Sequence, residues 1–404
     1  MRKWVFKALN SVINEGTYSN LYLQKNLHQV EPSQRSAATR IFYGTLQNYG
    51  FCTYVWKQFA KKGTRPDIEV LMGMSVYQLL FMDSMPDYAV INEAVEIAKQ
   101  RSPKMKGFVN AVLRKVKTTD IVYPSDELEK TAVETSLPVW ILKMWKAQYG
   151  FDKAVEFAKA TLATLPVYVR IRGNIDDFKS PDFTKTDEPN LMIYNGHEVN
   201  QHPLYKKGRF SVQDSGSYQI SQFVGVEKGM SVLDCCAAPG TKTMAMTEAM
   251  EDEGCIVAGD IHAHRVELIK EDAARLHIQC VQAQCFDARD LSDVGLFDRV
   301  LCDVPCSGYG VMARKPDIKL RLDPTDMDSL IPLQKEILES ASKHVKMDGI
   351  LVYSTCTLNK KENEKQVESF LQQHDDFICL DMKTIEATNQ HNGFFMAKLK
   401  RIAV

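Results

Sequence analysis

The sequence has no long uncharged hydrophobic run, no Cys-x-x-Cys pair and almost no net charge. Its 404 residues include 50 basic and 51 acidic side chains, a formal net charge of −1. Charges at Arg2, Lys3 and Lys7 interrupt the apolar start of the chain, so neither a signal peptide nor a membrane span is expected. Without paired cysteines a zinc ribbon is not expected either. We therefore expect a globular protein without a membrane or metal partner.

Ten cysteines are present, mostly in apolar runs between Cys235 and Cys356. In a long chain without a secretory signal, such cysteines predict free thiols in a reducing compartment, and hence a cytoplasmic protein. A chain of this length is expected to fold as two or three domains. No internal repeat or low-complexity tract marks their boundaries.

Residues 1–120 have the pattern of a helical domain with a basic surface. They hold 17 basic and 9 acidic side chains, a net charge of +8, which leaves −9 for the rest of the chain. The domain is therefore the better candidate for contact with a polyanion. Seven basic residues and no acidic one lie within residues 99–117, although this run taken alone favours a solvated helix face. Apolar spacing predicts helices over residues 36–46 and 70–80, near Asn92, and over residues 107–114.

Residues 121–215 hold six prolines and are predicted to form a connector and a small α+β subdomain. Residues 167–172 alternate as in a strand, which places Arg170 and Arg172 on one face. That face either contacts phosphates or is solvated, and the pattern does not decide between the two.

From residue 216 onward, short apolar runs alternate with helical patterns such as those of residues 265–276 and 330–345. This alternation predicts a doubly wound parallel sheet, the Rossmann-like α/β fold, over residues 216–404. The run over residues 393–399 could add one more strand. The other strands are predicted at residues 231–235, 255–259, 280–285, 299–302 and 349–353.

The first of these strands runs into a tight turn of small residues, Asp234–Thr243. Small residues let a ligand approach the backbone, but the turn lacks the glycine spacing of a dinucleotide site or a P-loop. Asp260 ends the second strand, where it suits a ribose diol, and Asp287 follows the third, where it can accept from an adenine amino group. Together they predict an adenosine without an essential phosphate, which S-adenosylmethionine fits. For Asp234 and Asp298, capping of a helix is an equally open alternative.

Cys306 and Cys356 directly follow the last two strands of this series and stand among turn residues. The other cysteines of the sheet are predicted to be small buried hydrophobes. Ligands of open α/β sheets bind at the carboxyl ends of strands, so both thiols are expected beside one substrate. Methyl transfer to carbon 5 of a pyrimidine needs such a pair, because a thiolate must add to carbon 6 and later leave. Asp303 is placed to hydrogen-bond or protonate ring N3.

These motifs resemble those of the NOL1/NOP2/Sun family of RNA cytosine-5 methyltransferases. The resemblance covers nearly the whole chain, because the helices around Asn92 and over Phe108–Arg114 are similar to a NusB-like RNA-binding domain. That domain marks the Sun/RsmB branch, the bacterial 16S ribosomal RNA enzymes. The matching motifs are Asp234–Thr243, Asp303–Gly308, Val311–Lys319, and Thr355–Leu358 with Glu362–Glu364.

The resemblance implies that Cys356 is the nucleophile and that Cys306 assists release of the product. It implies S-adenosylmethionine as cofactor and RNA of the small ribosomal subunit as partner, with residues 99–117 contacting the RNA. Thr241 stands where the family usually has a second glycine, which leaves cofactor affinity open, and Asn392 stands where an aspartate is usual. The residues implied to line the cofactor are Cys236, Ala237, Ala238, Pro239, Gly240, Thr241, Lys242, Asp260, Arg265, Asp287 and Asp303.

The resulting expectation is a monomeric enzyme that uses S-adenosylmethionine to methylate carbon 5 of a cytosine in 16S ribosomal RNA. A tRNA cytosine-5 methyltransferase is the first alternative, with the same chemistry on another substrate. The second is a non-catalytic NusB-like RNA-binding protein, against which the presence of both thiols argues. A zinc site at His262 and His264 is a distant third, because no four-ligand spacing accompanies them.

Overall fold

The computed structural model describes residues 1–60 and 63–403, and the chain divides into two compact units. The helical unit comprises residues 1–163 with residues 312–322, and the sheet unit comprises residues 164–311 with the chain from Asp323 onward. The three-part division predicted from the sequence is finer than these units and stays a prediction. In the described part of the chain, no helix combines the length and the hydropathy needed to cross a membrane.

Ten α-helices form the described part of the helical unit: α1 (Arg2–Ile13), α2 (Ser19–Asn26), α3 (Pro32–Gln47), α4 (Tyr49–Lys57), α5 (Pro66–Phe81), α6 (Asp87–Arg101), α7 (Lys106–Thr118), α8 (Glu127–Glu134), α9 (Val139–Tyr149) and α10 (Phe151–Ala160). Helix α5 is buried along nearly its whole length, which suits a helix that is apolar on all sides. Pro66 in its first turn, with Asp67 and Glu69, suits a helix N-terminus. The four predicted helices are confirmed as α3, α5, α6 and α7.

The basic run of residues 99–117 lies on the surface of this unit, and all seven of its lysines and arginines are exposed. Arg101 is paired with Asp67 at 2.9 Å, and Lys117 with Asp87 at 3.3 Å. The other five cations form no ion pair within the described chain, so their charges stay available to an anionic partner.

A segment from the second half of the sequence completes the helical unit. Within residues 312–322, the side chain of Lys319 is only 7% exposed. Its Nζ donates to the carbonyl oxygens of Thr135 at 2.8 Å and Gln47 at 3.2 Å, at the ends of α8 and α3. Among the described residues no carboxylate is paired with this ammonium group. The segment is thus tied to two helix ends by a buried lysine that donates to two carbonyl oxygens.

The burial of Lys319 predicts a pH-dependent stability of the helical unit. Burial lowers the pKa of Lys319 from 10.5 to about 7, so between these values the unfolded chain binds more protons than the folded chain. The contribution of Lys319 to the free energy of unfolding therefore rises with pH between about 7 and 10.5, by at most about 1.4 kcal/mol per pH unit. Relative to a Lys319→Met variant, the wild-type protein should gain unfolding free energy as pH rises from neutral to alkaline.

Tryptophan fluorescence measures this effect, because all four tryptophans lie in the helical unit: Trp4, Trp56, Trp140 and Trp145. A Lys25→Met variant is the control, since Lys25 lies exposed on α2 of the same unit. Its unfolding midpoint should follow the wild-type pH profile. Parallel profiles for the wild type and the Lys319→Met variant would show that Lys319 keeps its proton in the fold.

The sheet unit begins with a small antiparallel sheet of strand order β2-β3-β1-β4. Its strands and one short helix are β1 (Val167–Ile171), β2 (Phe183–Lys185), β3 (Leu191–Tyr194), α11 (Pro203–Lys206) and β4 (Phe210–Val212). Aromatic rings of Phe178, Phe183 and Phe210 pack edge to face in its core. The α+β character predicted for this region is confirmed.

A seven-stranded sheet of order β10-β11-β9-β8-β5-β6-β7 forms the rest of the unit. Strands β5 to β9 run parallel to one another, whereas β11 runs antiparallel to β9 and β10. The predicted strands are confirmed, but the sheet is mixed rather than wholly parallel. Its elements are α12 (Ser215–Val224), β5 (Ser231–Asp234), α13 (Thr241–Ala249), β6 (Cys255–Asp260), α14 (Ala263–Arg275), β7 (Val281–Cys285), β8 (Phe297–Asp303), α15 (Met327–Ser342), β9 (Val345–Thr355), α16 (Glu364–Leu371), β10 (Phe377–Ile385) and β11 (Phe394–Arg401).

Candidate active site

Two thiols meet at the carboxyl ends of neighbouring parallel strands. Cys306 follows β8 and Cys356 follows β9, and the residues Asp303 and Ser354 of these strands are paired in register. The two sulfur atoms lie 3.2 Å apart, and the backbone N–H of Cys356 donates to the sulfur of Cys306 at 3.3 Å. Both side chains are half-buried. The structure thus brings together the two cysteines that the sequence distinguishes from the others.

The surroundings of the two thiols differ in charge. The hydrogen bond with Cys356, burial, and the charges of Cys356 and Glu362 raise the pKa of Cys306 well above its ordinary value. Cys306 therefore keeps its proton at neutral pH. The ammonium group of Lys242, in contrast, lies close enough to Cys356 to interact with its charge. A cation beside a thiol favours the thiolate, so this geometry favours Cys356 as the nucleophile.

Asp303 is held from two sides at the end of β8. Lys242 Nζ lies 2.7 Å from Oδ2, and the hydroxyl of Ser354 donates to Oδ1 at 2.7 Å. Burial disfavours the charge of Lys242, but Asp303, Cys356 and Asp234 outweigh burial and raise the pKa of the lysine. Lys242 is therefore a cation directed at Asp303. The sequence places this lysine in the cofactor turn but does not foresee its ion pair.

The turn after β5 has a backbone geometry that lets a ligand lie close to the main chain. Gly240 adopts a φ of +106°, a conformation that residues with a Cβ rarely adopt. The N–H of Ala237 donates to the carbonyl of Gly259 at 2.8 Å, which fastens the turn to β6. Thr241 is the first residue of α13 and lies outside the left-handed region. A β-branched residue therefore fits at this position, and the missing second glycine leaves the turn intact.

Arg170 supports this turn from β1, and its side chain is only 2% exposed. It forms an ion pair with Glu248 at 2.7 Å and donates to the carbonyl oxygen of Thr241 at 3.0 Å and to the side chain of Gln213. Because these donors are used inside the protein, phosphate contact is excluded for Arg170. The residue instead positions the first turn of α13, a role that the strand pattern alone does not indicate.

Asp260 ends β6 and is 4% exposed. Its Oδ1 accepts from the backbone N–H of His262 at 3.0 Å, and its Oδ2 lies 3.0 Å from Arg265 Nη1. Arg265 also donates to the carbonyl oxygen of Ala238 at 2.9 Å, in the turn after β5. The predicted residues Asp260 and Arg265 are thus brought together with that turn.

Asp287, the third predicted carboxylate, lies beyond β7. Its Oδ2 is 2.6 Å from Arg289 Nη2, and the hydrogen bonds from Arg289 are the main reason that the pKa of Asp287 is lowered. The carboxylate is therefore ionised, and the backbone N–H and guanidinium group of Arg289 donate to both of its oxygens.

Asp234 and Asp298 cap no helix, although capping was an open alternative for both. Asp298 is paired with Lys346 at 3.0 Å and accepts from the backbone and hydroxyl of Ser231. Asp234 accepts from the hydroxyl of Thr243 at 2.7 Å, while its Oδ1 has no hydrogen-bond partner in the described protein. Burial is the main reason that the pKa of Asp234 is raised to about 7. A buried acceptor without a partner at the end of β5 is a feature expected of a ligand site.

The two histidines considered for zinc stack on each other near the end of β6. The rings of His262 and His264 have centroids 5.5 Å apart. Within residues 1–60 and 63–403, no group of three or more His, Cys, Asp or Glu side chains could hold a metal ion.

Comparison with protein families matches both parts of the chain. Residues 222–400 match the family model described as "16S rRNA methyltransferase RsmB/F", and residues 1–118 match the NusB family. The "Probable ribosomal RNA small subunit methyltransferase B" of Bacillus subtilis (strain 168) is 34% identical over 401 residues, which cover 93% of this chain and 89% of the relative. The "Ribosomal RNA small subunit methyltransferase B" of Vibrio cholerae serotype O1 is 29% identical over 389 residues, with 91% and 88% covered.

Solved structures share the fold of the chain. The protein named PH0851 superposes with a TM-score of 0.83 at 24% identity, covering 98% of this chain and 97% of that chain. NSun6 from Pyrococcus horikoshii with SFG superposes with a TM-score of 0.61 at 18% identity, covering 67% of this chain and 99% of that chain. The expected combination of a helical N-terminal part and a Rossmann-like sheet is thereby confirmed.

Proposed function

The chain belongs to the RsmB/F family of 16S rRNA methyltransferases, and we propose that it methylates carbon 5 of a cytosine in 16S ribosomal RNA. The observation that carries this proposal is a pair of thiols 3.2 Å apart beside the ion pair of Asp303 and Lys242. Carbon 5 of cytosine is a poor nucleophile until a group adds to carbon 6, and a thiolate is suited to that addition.

Cys356 is the nucleophile in this proposal. Its sulfur forms a bond to carbon 6 of the base, and the ring electrons displaced by that bond make carbon 5 reactive. Asp303 faces the N3 edge of the ring and carries to N3 the proton that the Cys356 thiol gives up, so the ring stays neutral as electron density arrives. Lys242, 2.7 Å from Asp303, balances the charge of this carboxylate and favours the thiolate of Cys356.

Cys306 assists the last step of the reaction. After methyl transfer, a base removes the proton on carbon 5, the electrons return to the ring, and the bond from carbon 6 to Cys356 breaks. The departing sulfur leaves as a thiolate, which the S–H of Cys306 can stabilise from 3.2 Å away. The raised pKa of Cys306 keeps that proton in place.

The turn after β5 and its partners fit S-adenosylmethionine as the methyl donor. Residues 236–242 would lie against it, with Asp260 accepting from the ribose hydroxyls and Asp287 from the adenine amino group. The unpartnered Oδ1 of Asp234 offers a buried acceptor, and Ile261, which is 53% exposed, offers an apolar surface beside Asp260. Bound there, S-adenosylmethionine supplies an electrophilic methyl group to carbon 5.

The exposed cations of residues 99–117 would contact the phosphate backbone of the RNA, independently of its sequence. The target base must leave its stack to reach the thiols, which costs a few kcal/mol and least in a single-stranded segment. The names of the relatives point to small-subunit ribosomal RNA as the substrate.

Transfer of a labelled methyl group tests the proposal. The protein is incubated with tritiated S-adenosylmethionine and either 16S ribosomal RNA or tRNA, and the labelled nucleoside is identified by chromatography. We expect 5-methylcytidine from the 16S ribosomal RNA only. Label in tRNA alone would favour the tRNA alternative, and failure to bind S-adenosylmethionine in calorimetry would favour a non-catalytic RNA-binding protein. Bisulfite sequencing of ribosomal RNA with and without the gene then locates the nucleotide.

A further inference from the structure

Glu362 is a fully buried carboxylate, 0% exposed, that accepts its hydrogen bonds from neutral donors. Its Oε1 accepts from the backbone N–H of Ser307 at 2.9 Å and from Gln334 Nε2 at 3.0 Å. Its Oε2 accepts from the hydroxyl of Ser307 at 2.6 Å and from Asn359 Nδ2 at 3.0 Å. Removing a buried charge from water is costly unless hydrogen bonds compensate. The hydrogen bonds to Glu362 therefore compensate the cost of burying its charge, and they fix the groups that donate them.

These hydrogen bonds join the two thiol loops. Ser307 directly follows Cys306, and Thr357, which directly follows Cys356, approaches Oε2 of Glu362 at 3.4 Å. The hydroxyls of Ser307 and Thr357 are also 2.7 Å from each other. The carboxylate of Glu362 therefore contacts the residue after each thiol, and these contacts hold the two loops at a fixed separation.

Two further contacts fix Glu362 and the loops to the sheet and to α15. The hydroxyl of Tyr353, within β9, donates to the backbone carbonyl of Glu362 at 2.6 Å. Gln334, on α15, donates both to Glu362 and to the carbonyl of Pro305 at 3.0 Å, on the other side of Cys306. The network thus holds the Cys306 loop at the residue before the thiol and at the residue after it.

We propose that Glu362 is a positioning residue that keeps the S–H of Cys306 aligned with the sulfur of Cys356 for the release step. This inference rests on the proposed cytosine chemistry. Addition of Cys356 to carbon 6 needs one thiol and the Asp303–Lys242 pair, and within the described chain neither Asp303 nor Lys242 is hydrogen-bonded to Glu362. Release needs both thiols at their spacing, and the negative charge of Glu362 near Cys306 also opposes loss of the Cys306 proton. Loss of Glu362 therefore affects release more than addition.

The Glu362→Gln variant tests this inference, because an amide nitrogen then faces the donors of Ser307, Asn359 or Gln334. With unmodified RNA and S-adenosylmethionine, we expect turnover to fall by about 10²-fold or more, within the usual contribution of a proton-transfer group. The covalent protein–RNA complex, absent from the wild type on denaturing gels, should accumulate. The apparent KM for S-adenosylmethionine should change less than about threefold, because Glu362 touches no part of the cofactor turn. A Glu368→Gln variant is the control, since Glu368 is exposed and paired with Lys365.

A double variant separates positioning from a general loss of structure. If Glu362 acts through Cys306, its replacement should have no further effect once the Cys306 thiol is gone. Turnover of the Glu362→Gln, Cys306→Ala double variant should then be no slower than turnover of Cys306→Ala alone. The inference would be overturned if the fold-losses of turnover in the two single variants multiplied in the double variant. It would also be overturned if Glu362→Gln formed the covalent complex more slowly than the wild type and did not accumulate it. If circular dichroism shows that Glu362→Gln does not fold, Ser307→Ala is the second variant. It removes the hydroxyl contact between Glu362 and the Cys306 loop and should also accumulate the complex.

The wild-type protein separates failure of this inference from failure of the proposed function. If the wild type forms no adduct on 5-fluorocytosine RNA, both are overturned. If the wild type forms the adduct and Glu362→Gln has normal turnover, the inference alone is overturned.

Discussion

Replacing Cys356 by alanine is expected to abolish both methyl transfer and the covalent complex with RNA. On RNA that contains 5-fluorocytosine, the wild-type sulfur adds to carbon 6, but fluorine cannot leave carbon 5 as a proton does. The complex is therefore trapped and visible on a denaturing gel. Without the sulfur no bond forms, and methylation of ordinary RNA should fall by more than about 10³-fold, as for other lost nucleophiles.

Cys306→Ala should give the opposite result on the gel. It leaves the nucleophile in place and removes the proton donor 3.2 Å away, so the complex should form even on unmodified RNA. Cys302→Ala is the matched control, because Cys302 is a fully buried thiol of β8 that lies outside the site. It should lower stability slightly and leave the complex unchanged. A complex that survives Cys356→Ala and is lost in Cys306→Ala would assign the nucleophile to Cys306.

The pairing of the thiols is predictable from the sequence because it depends on local order. Each cysteine directly follows an apolar run, and neighbouring parallel strands present such positions at the same edge of the sheet. The register pairs Asp303 with Ser354, so residues that follow them also meet. The strand order places β8 beside β9, so the meeting of the two thiols follows from the strand assignment together with this order.

Other features of the site depend on contacts that no local pattern reveals. Lys242 and Asp303 are 61 residues apart in sequence, and Arg170 lies 71 residues from the carbonyl oxygen of Thr241 that it holds. A charged residue in a strand has the same pattern whether it faces solvent or a buried carboxylate. Glu362 is different, because it lies only a few residues after Cys356. A carboxylate so close to a candidate nucleophile is a signal that sequence reasoning can use.

Strand β10 shows where hydrophobic patterning fails. Ile378, Leu380 and Met382 are apolar but 42%, 50% and 41% exposed, because β10 is the edge strand of the sheet. The strand is held by backbone hydrogen bonds to β11, which a sequence pattern does not record. For this reason the sequence predicts a parallel sheet and does not predict the antiparallel pairing of β10 with β11 at this edge.

Asp303→Asn is the second substitution for which we expect a large effect. The amide keeps the shape of the side chain but cannot carry a proton to N3 during addition and take it back during release, so kcat should fall by about 10²–10⁴-fold. Binding of S-adenosylmethionine, measured by calorimetry, should weaken much less, because Asp303 is one of many residues around the cofactor. Asp298→Asn is the control, since Asp298 belongs to the same strand and is also paired with a lysine, Lys346 at 3.0 Å. It should reduce stability but not activity.

A double variant distinguishes the chemical role of Asp303 from its structural role. Asp303→Asn leaves the ammonium group of Lys242, whose side chain is only 14% exposed, without its partner at 2.7 Å. An unpaired buried charge destabilises a fold by about 3–5 kcal/mol, so the variant should also melt at a lower temperature. Adding Lys242→Met removes that charge and should restore most of the melting temperature without restoring methyl transfer. Recovery of activity together with stability would show that Asp303 serves only to neutralise Lys242, and the proton at N3 would then require another residue.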